Sequence, residues 1–237
     1  MSSGAQHTVR SHDHELEKLD AAIERISGLA RRQLADALQA LETGDTDIAA
    51  RVLQGDRAID ECERFIDDQV VRVLALHAPV ADDLRRVVTA LKVAGDIERI
   101  GDHAANTAKR VLVLSQSSAL APTRGLLRLG QAVAELLGEA LDAYLAGDAA
   151  QALAVRDGDQ AIDDLYSSLF REIITYMMED PRTITACSHL MFIAKNIERV
   201  GDHATNIAEM TVYLVTGQAP DSQRPKRDVS TSEGGQA

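Results

Sequence analysis

Residues 97–106 read Ile-Glu-Arg-Ile-Gly-Asp-His-Ala-Ala-Asn, and residues 197–206 read Ile-Glu-Arg-Val-Gly-Asp-His-Ala-Thr-Asn. Eight of the ten positions are identical, and the two copies stand 100 residues apart. Solenoid repeats recur every ~20–50 residues. This longer offset therefore marks a duplicated unit of domain size, and each half of the chain must build the same piece of structure. The shared positions are mostly charged and polar. A repeat kept for packing would preserve apolar positions, so the duplication points at chemistry.

The repeat extends upstream. Gly44-Asp45 returns as Gly147-Asp148, and Asp56-Arg57-Ala58-Ile59-Asp60 returns as Asp159-Gln160-Ala161-Ile162-Asp163, both 103 residues later. Each half carries the same order: apolar stretch, Gly-Asp, Asp-x-x-x-Asp, apolar stretch, Glu-x-x-x-Asp-x-x-x-Asn.

Apolar spacing of three and four, the mark of an amphipathic helix, recurs three times per half. Leu16, Leu19, Ile23, Ile26, Ala30, Leu34, Ala37 and Leu41 define the first helix. Gly44 ends it, and Asp45 or Thr46 caps the next. Ile59, Cys62, Ile66, Val70 and Val73 face inward on the second, which Pro79 stops. Asp82 or Asp83 restarts the third, with Val87, Ala90, Ala94, Ile97, Gly101, Ala104, Ala108 and Val111 on one stripe. The second half repeats the scheme: Leu126, Leu129, Val133, Leu136, Ala140 and Tyr144; then Ile162, Leu165, Leu169, Ile173 and Tyr176; then, after Asp180-Pro181, Leu190, Ile193, Ile197, Ala204, Ala208 and Thr211. The expected fold is all-α, two tandem three-helix bundles. The boundaries are a loose N-terminus over 1–13, a first repeat over 14–116, a second over 123–217 and a disordered tail over 218–237.

Composition narrows the function. The net charge of −12 and pI near 5.0 oppose nucleic-acid binding through phosphate neutralisation. Cys62 and Cys187 are far apart, form no Cys-x-x-Cys, and read as small core residues. With no long uncharged apolar run and no signal peptide, the expected location is the cytoplasm, reaching a membrane only peripherally through partners.

Glu98 and Asp102 are one helical turn apart on one face, and Asn106 continues their row. Traced back, the row passes Gly95, Leu91, Val88 and Leu84, so the carboxylates prolong a semi-buried stripe. Two carboxylates at i,i+4 repel, and near a core that repulsion needs compensation. A cation supplies it through carboxylate and amide oxygens. Asp56/Asp60 and Asp159/Asp163 offer the same spacing on the preceding helix, so an antiparallel neighbour can bring them opposite Glu98/Asp102 and Glu198/Asp202. The ligand set read this way is Asp56, Asp60, Glu98 and Asp102 in one half, and Asp159, Asp163, Glu198 and Asp202 in the other. Asn106 and Asn206 are additional candidates. The competing reading is ion pairing between helices, with Arg99 and Arg199 beside the glutamates.

His103 and His203 lie ~100° round the helix from the motif aspartates. They read as orienting or surface histidines before they read as ligands. No Ser-His-Asp or Cys-His arrangement and no phosphate-cradling glycine loop is identifiable.

The doubled Glu-Arg-Ile/Val-Gly-Asp-x-x-x-Asn phrase resembles the PhoU family of bacterial phosphate-signalling proteins. Pro79-x-x-x-Asp83-Leu84-Arg85 and residues 175–184 support the match, which runs from about Glu15 to Gly217. The resemblance implies two similar three-helix bundles. It implies a non-enzymatic accessory protein of the high-affinity phosphate ABC transporter that negatively regulates the phosphate-starvation regulon. The implied partners are the transporter's ATPase subunit, a sensor histidine kinase and a second copy of the chain. It also implies metal held by the Glu/Asp-x-x-x-Asp motifs, the ion being iron, zinc, manganese or magnesium. The rival classes are a carboxylate-bridged metallohydrolase and a salt-bridged helical scaffold.

Overall fold

Gly44 (φ 68°) and Gly147 (φ 64°) turn the chain at equivalent places in the two halves, in the left-handed region that glycine enters without a Cβ clash. The aspartate after each glycine caps the helix that follows. Asp45 accepts from the backbone N–H groups of Asp47 and Ile48, and Asp148 accepts from those of Ala150 and Gln151. These caps satisfy donors that no intrahelical carbonyl can reach.

The computed structural model describes residues 3–115 and 123–219, with side chains from residue 13 onward. The elements are α1 (Ser3–Thr43), α2 (Thr46–His77), α3 (Ala81–Leu114), α4 (Thr123–Ala146), α5 (Ala149–Glu179), a 3-10 turn (Pro181–Thr183) and α6 (Ile184–Thr216). Among the described residues there is no strand. In each half the three helices pack on one another, α1 with α2 and α3, and α4 with α5 and α6. The halves then join along α3 and α6, with a second contact between α1 and α4. A continuous cluster of buried residues draws on both halves, so the repeats share a core.

α3 and α6 run antiparallel. Asp96 meets His203, Arg110 meets His189, and the N-terminal Arg85 lies against Gly217 at the end of α6. The small stripe on α3 allows the close approach that helix packing needs: Ala94, Gly101, Ala104 and Ala108 are buried.

Several details differ from the sequence expectation. The first helix is already formed at Ser3, within the stretch read as loose over 1–13; between Gly4 and the buried Leu16 there is no glycine or proline, so helix propagates from the packed part. Asp82 and Asp83 lie inside the first turn of α3, and the cap position is Val80, which offers no side-chain bond. Leu165, placed on the inward stripe of α5, is 38% exposed; the buried positions on either side, Ile162 and Leu169, are seven residues apart, and Leu165 falls on the flank of that narrow stripe. The linker around 116–122 and nearly all of the 218–237 tail lie outside the described residues. Asp180 does cap the turn begun by Pro181.

Candidate functional site

α2 and α3 bring the two acidic rows of the first half together. Asp56 is half-buried and accepts a hydrogen bond from Gln33 Nε2 of α1 at 2.9 Å; the same amide donates to the Gly101 carbonyl at 3.2 Å. Burial pushes the Asp56 carboxyl above its ordinary value against the Gln33 bond, and Asp102 and Asp60 push the same way by repulsion. Burial likewise raises Glu98, with Asp102, Glu63 and Asp60 adding repulsion and Arg99 opposing. Glu63, one turn beyond Asp60 on α2, is raised by burial and by Asp67 and Asp60. Five carboxylates, Asp56, Asp60, Glu63, Glu98 and Asp102, therefore share one electrostatic environment. Partial desolvation strengthens repulsion among like charges, so negative potential accumulates here.

Arg99 relieves part of it. Its guanidinium lies 3.3 Å from Glu98 and 3.2 Å from Asp102. The ion-pair reading of the motif is thus partly realised in this half, with Arg99 60% exposed and its pairing correspondingly screened.

The second half places Asp159, Asp163, Glu198 and Asp202 in the equivalent positions but holds them differently. Thr205 Oγ1 donates to Asp159 at 3.1 Å, taking the part Gln33 plays for Asp56. Glu198 is raised by burial and opposed by a hydrogen bond from Lys195, while Asp202 and Asp163 repel it. Lys195 Nζ stands 2.8 Å from each oxygen of the Glu198 carboxylate.

His103 and His203 are not surface residues beside separate sites. They stack across the α3–α6 seam, ring centroids 5.6 Å apart and planes inclined by 29°. His203 Nδ1 donates to Asp96 at 2.8 Å, and Asn206 Nδ2 donates to the same oxygen at 3.1 Å. His103 is buried, bonds with Asn196, and has its Nδ1 without a partner among the described residues. Burial and the neighbouring His203 push its pKa down. Asn206, read as continuing the acidic row, instead serves this seam. Asn106 faces Lys109 at 3.1 Å.

As these side chains stand, no group of three His, Cys, Asp or Glu among the described residues is gathered to hold a metal ion. The donor chemistry of the first half nevertheless suits a hard cation: five half-buried carboxylates, three of them held up by burial and mutual repulsion. Four contributors were missed in the sequence: Glu63, Gln33, Asp96 and Lys195. Glu63 follows Asp60 at i+3 and Lys195 precedes Glu198 by three on the same helix, so both were legible in principle; Gln33 and Asp96 act across helices, where local spacing carries no signal. Cys62 and Cys187 are buried and unpaired.

A family model described as the PhoU domain matches residues 23–111 and again residues 126–211. The chain is 45% identical over 225 residues to a protein of Caulobacter vibrioides named phosphate-specific transport system accessory protein PhoU homolog, covering 94% of this chain and 98% of that one. It is 43% identical over 229 residues to the like-named protein of Rhizobium meliloti, covering 96% and 97%. Among solved structures, PhoU from Pseudomonas aeruginosa superposes with a TM-score of 0.85 at 38% identity, covering 87% of this chain and 99% of that one. The phosphate transport system regulatory protein PhoU from Streptococcus pneumoniae superposes with a TM-score of 0.81 at 32% identity, covering 89% and 99%.

Proposed function

We propose, from the premise that this chain belongs to the PhoU family, that it is an accessory protein of a phosphate-specific transport system and a negative regulator of the phosphate-starvation response. The near full-length likeness to proteins so named supports the first part. The name of the Streptococcus pneumoniae relative supports a regulatory role. In this reading the chain works in the cytoplasm and docks on the transporter's ATPase subunit, with a sensor histidine kinase as second contact. Among the described residues no helix is long and apolar enough to cross a membrane, so contact with a transporter through a protein partner fits the fold. A homodimer belongs to the same reading. Val80 and Met178, 75% and 78% exposed at the ends of the two equivalent hairpins, are apolar surface that such contacts would cover.

A metal-dependent form of this reading is supported by the mutual repulsion and partial burial of the acids on α2 and α3. Asp56, Asp60, Glu63, Glu98 and Asp102 would hold a divalent cation. Bound there, it would supply the positive charge these half-buried carboxylates lack, tying α2 to α3. Gln33 would keep Asp56 oriented from α1 meanwhile.

Deletion of this chain from its source cell is expected to leave phosphate-starvation genes switched on when phosphate is plentiful. A folded point variant that no longer binds the ATPase subunit should behave like the deletion. Normal shut-off in the deletion strain would sink the regulatory reading and leave a role confined to transport.

A further inference from the structure

The two halves repeat the acidic motif but differ at two positions that touch it. Glu63 is replaced 103 residues later by Tyr166, and Gly95 is replaced 100 residues later by Lys195. The structure shows that these two replacements act together. The Lys195 ammonium contacts both oxygens of Glu198 at 2.8 Å and stands 5.4 Å over the centre of the Tyr166 ring. Asp202 attracts the same ammonium. The first half thus sets five carboxylates against one another. The second removes one acid, puts an aromatic face in its place, and inserts a cation held between that face and the motif glutamate.

An ammonium and a divalent cation compete for the same carboxylate oxygens, because each lowers the repulsion that attracts the other. Arg99 does not play Lys195's part in the first half. It is the more exposed of the two, 60% against 45% for Lys195, and it can swing away without leaving a ring contact of the kind Lys195 makes with Tyr166.

We propose that Lys195 is the built-in cation of the second half, and that divalent-cation loading is therefore confined to the first half. The inference rests on the reading of the acids as a cation site. It adds that the duplication has split into one exchangeable site and one that is permanently self-neutralised. Lys195 is then the residue that determines which half responds to metal.

The test uses the full chain with Mn²⁺ as probe, an ion suited to carboxylate oxygens, and reads both calorimetric titration and metal retained after gel filtration. Wild-type chain is expected to load one half only. Glu98→Gln with Asp102→Asn should abolish retention, and adding Lys195→Met to that chain should restore it through the second half. Retention by the Glu98→Gln/Asp102→Asn chain with Lys195 intact would overturn the proposal, and so would failure of Lys195→Met to gain metal in either background. A metal-free cycle tests Lys195 separately. Lys195→Met should lower Tm by roughly 2–4 °C, and Glu198→Gln in the same chain should recover most of that loss; independent, additive effects would overturn the counter-ion role. If wild-type chain binds no Mn²⁺ but Lys195→Met does, the first-half reading fails and the assignment of Lys195 stands.

Discussion

His103 and His203, 100 residues apart in the sequence, lie ring against ring at 5.6 Å where α3 crosses α6. The duplicated phrase therefore does two jobs. Its acids face the preceding helix of their own half, and its histidines face the other half. The two histidines are not equivalent, because each reaches position 96 or 196 of the opposite helix, and these hold Asp96 and Asn196.

This difference makes the seam testable. His203→Leu removes a donor to Asp96, which retains Asn206, and is expected to cost about 1–3 kcal/mol of stability. His103→Leu should cost less, since its buried Nδ1 has no partner among the described residues. Urea unfolding of both variants decides it; equal losses would mean that ring packing matters and the Asp96 bond does not.

The acids set a pH dependence. Burial holds the carboxyl groups of Asp56, Glu63, Glu98 and Glu198 above the ordinary carboxylate range in the folded protein. A raised carboxylate binds its proton more readily folded than unfolded, so its contribution falls as pH rises from the ordinary carboxylate value through the raised one. Metal-free protein should accordingly gain stability from these four groups as pH is lowered toward that window. Glu98→Gln should flatten the trend. Thermal melts across that range, with chelator present, measure it; a trend unchanged by Glu98→Gln would show that the acid row is not its source.

The motif glycines should respond differently to a methyl group. A Cβ on Gly101 would stand 2.9 Å from Ile59 Cδ1, whereas one on Gly201 would meet its nearest neighbour, Ile162 Cγ2, at 3.4 Å. Gly101→Ala is expected to destabilise by about 1–3 kcal/mol through overpacking of α2 on α3. Gly201→Ala should be near neutral or gain up to ~1 kcal/mol of helix propensity. Equal effects in chemical denaturation would show that both helix pairs relax alike.

Ala78 ends α2 with φ 43°, in the left-handed region, which costs a residue bearing a Cβ ~1–2 kcal/mol. Ala78→Gly should therefore raise stability, by up to about 1 kcal/mol once glycine's greater unfolded-state freedom is counted. A fall in the unfolding midpoint would contradict the strained geometry at this turn.

Local periodicity and the repeat carry most of the fold. Spacings of three and four locate six helices, because one helical face must be buried wherever it occurs. Gly44-Asp45 and Gly147-Asp148 locate two of the turns, because glycine supplies the backbone angle and aspartate the cap. The repeat also made Asp56, Asp60, Glu98 and Asp102, with their second-half counterparts, legible as rows, since residues one turn apart share a face. The remaining contacts depend on which helix faces meet. The antiparallel packing of α3 on α6 turns the histidines inward to meet each other, the packing of α1 on α2 brings Gln33 to Asp56, and the packing of α5 on α6 brings Tyr166 to Lys195. Those contacts join positions tens to a hundred residues apart, where helical spacing says nothing about which faces meet. The acids looked alike in both halves because the sequence lists charges along one helix, whereas their balance is set by what the neighbouring helices place against them.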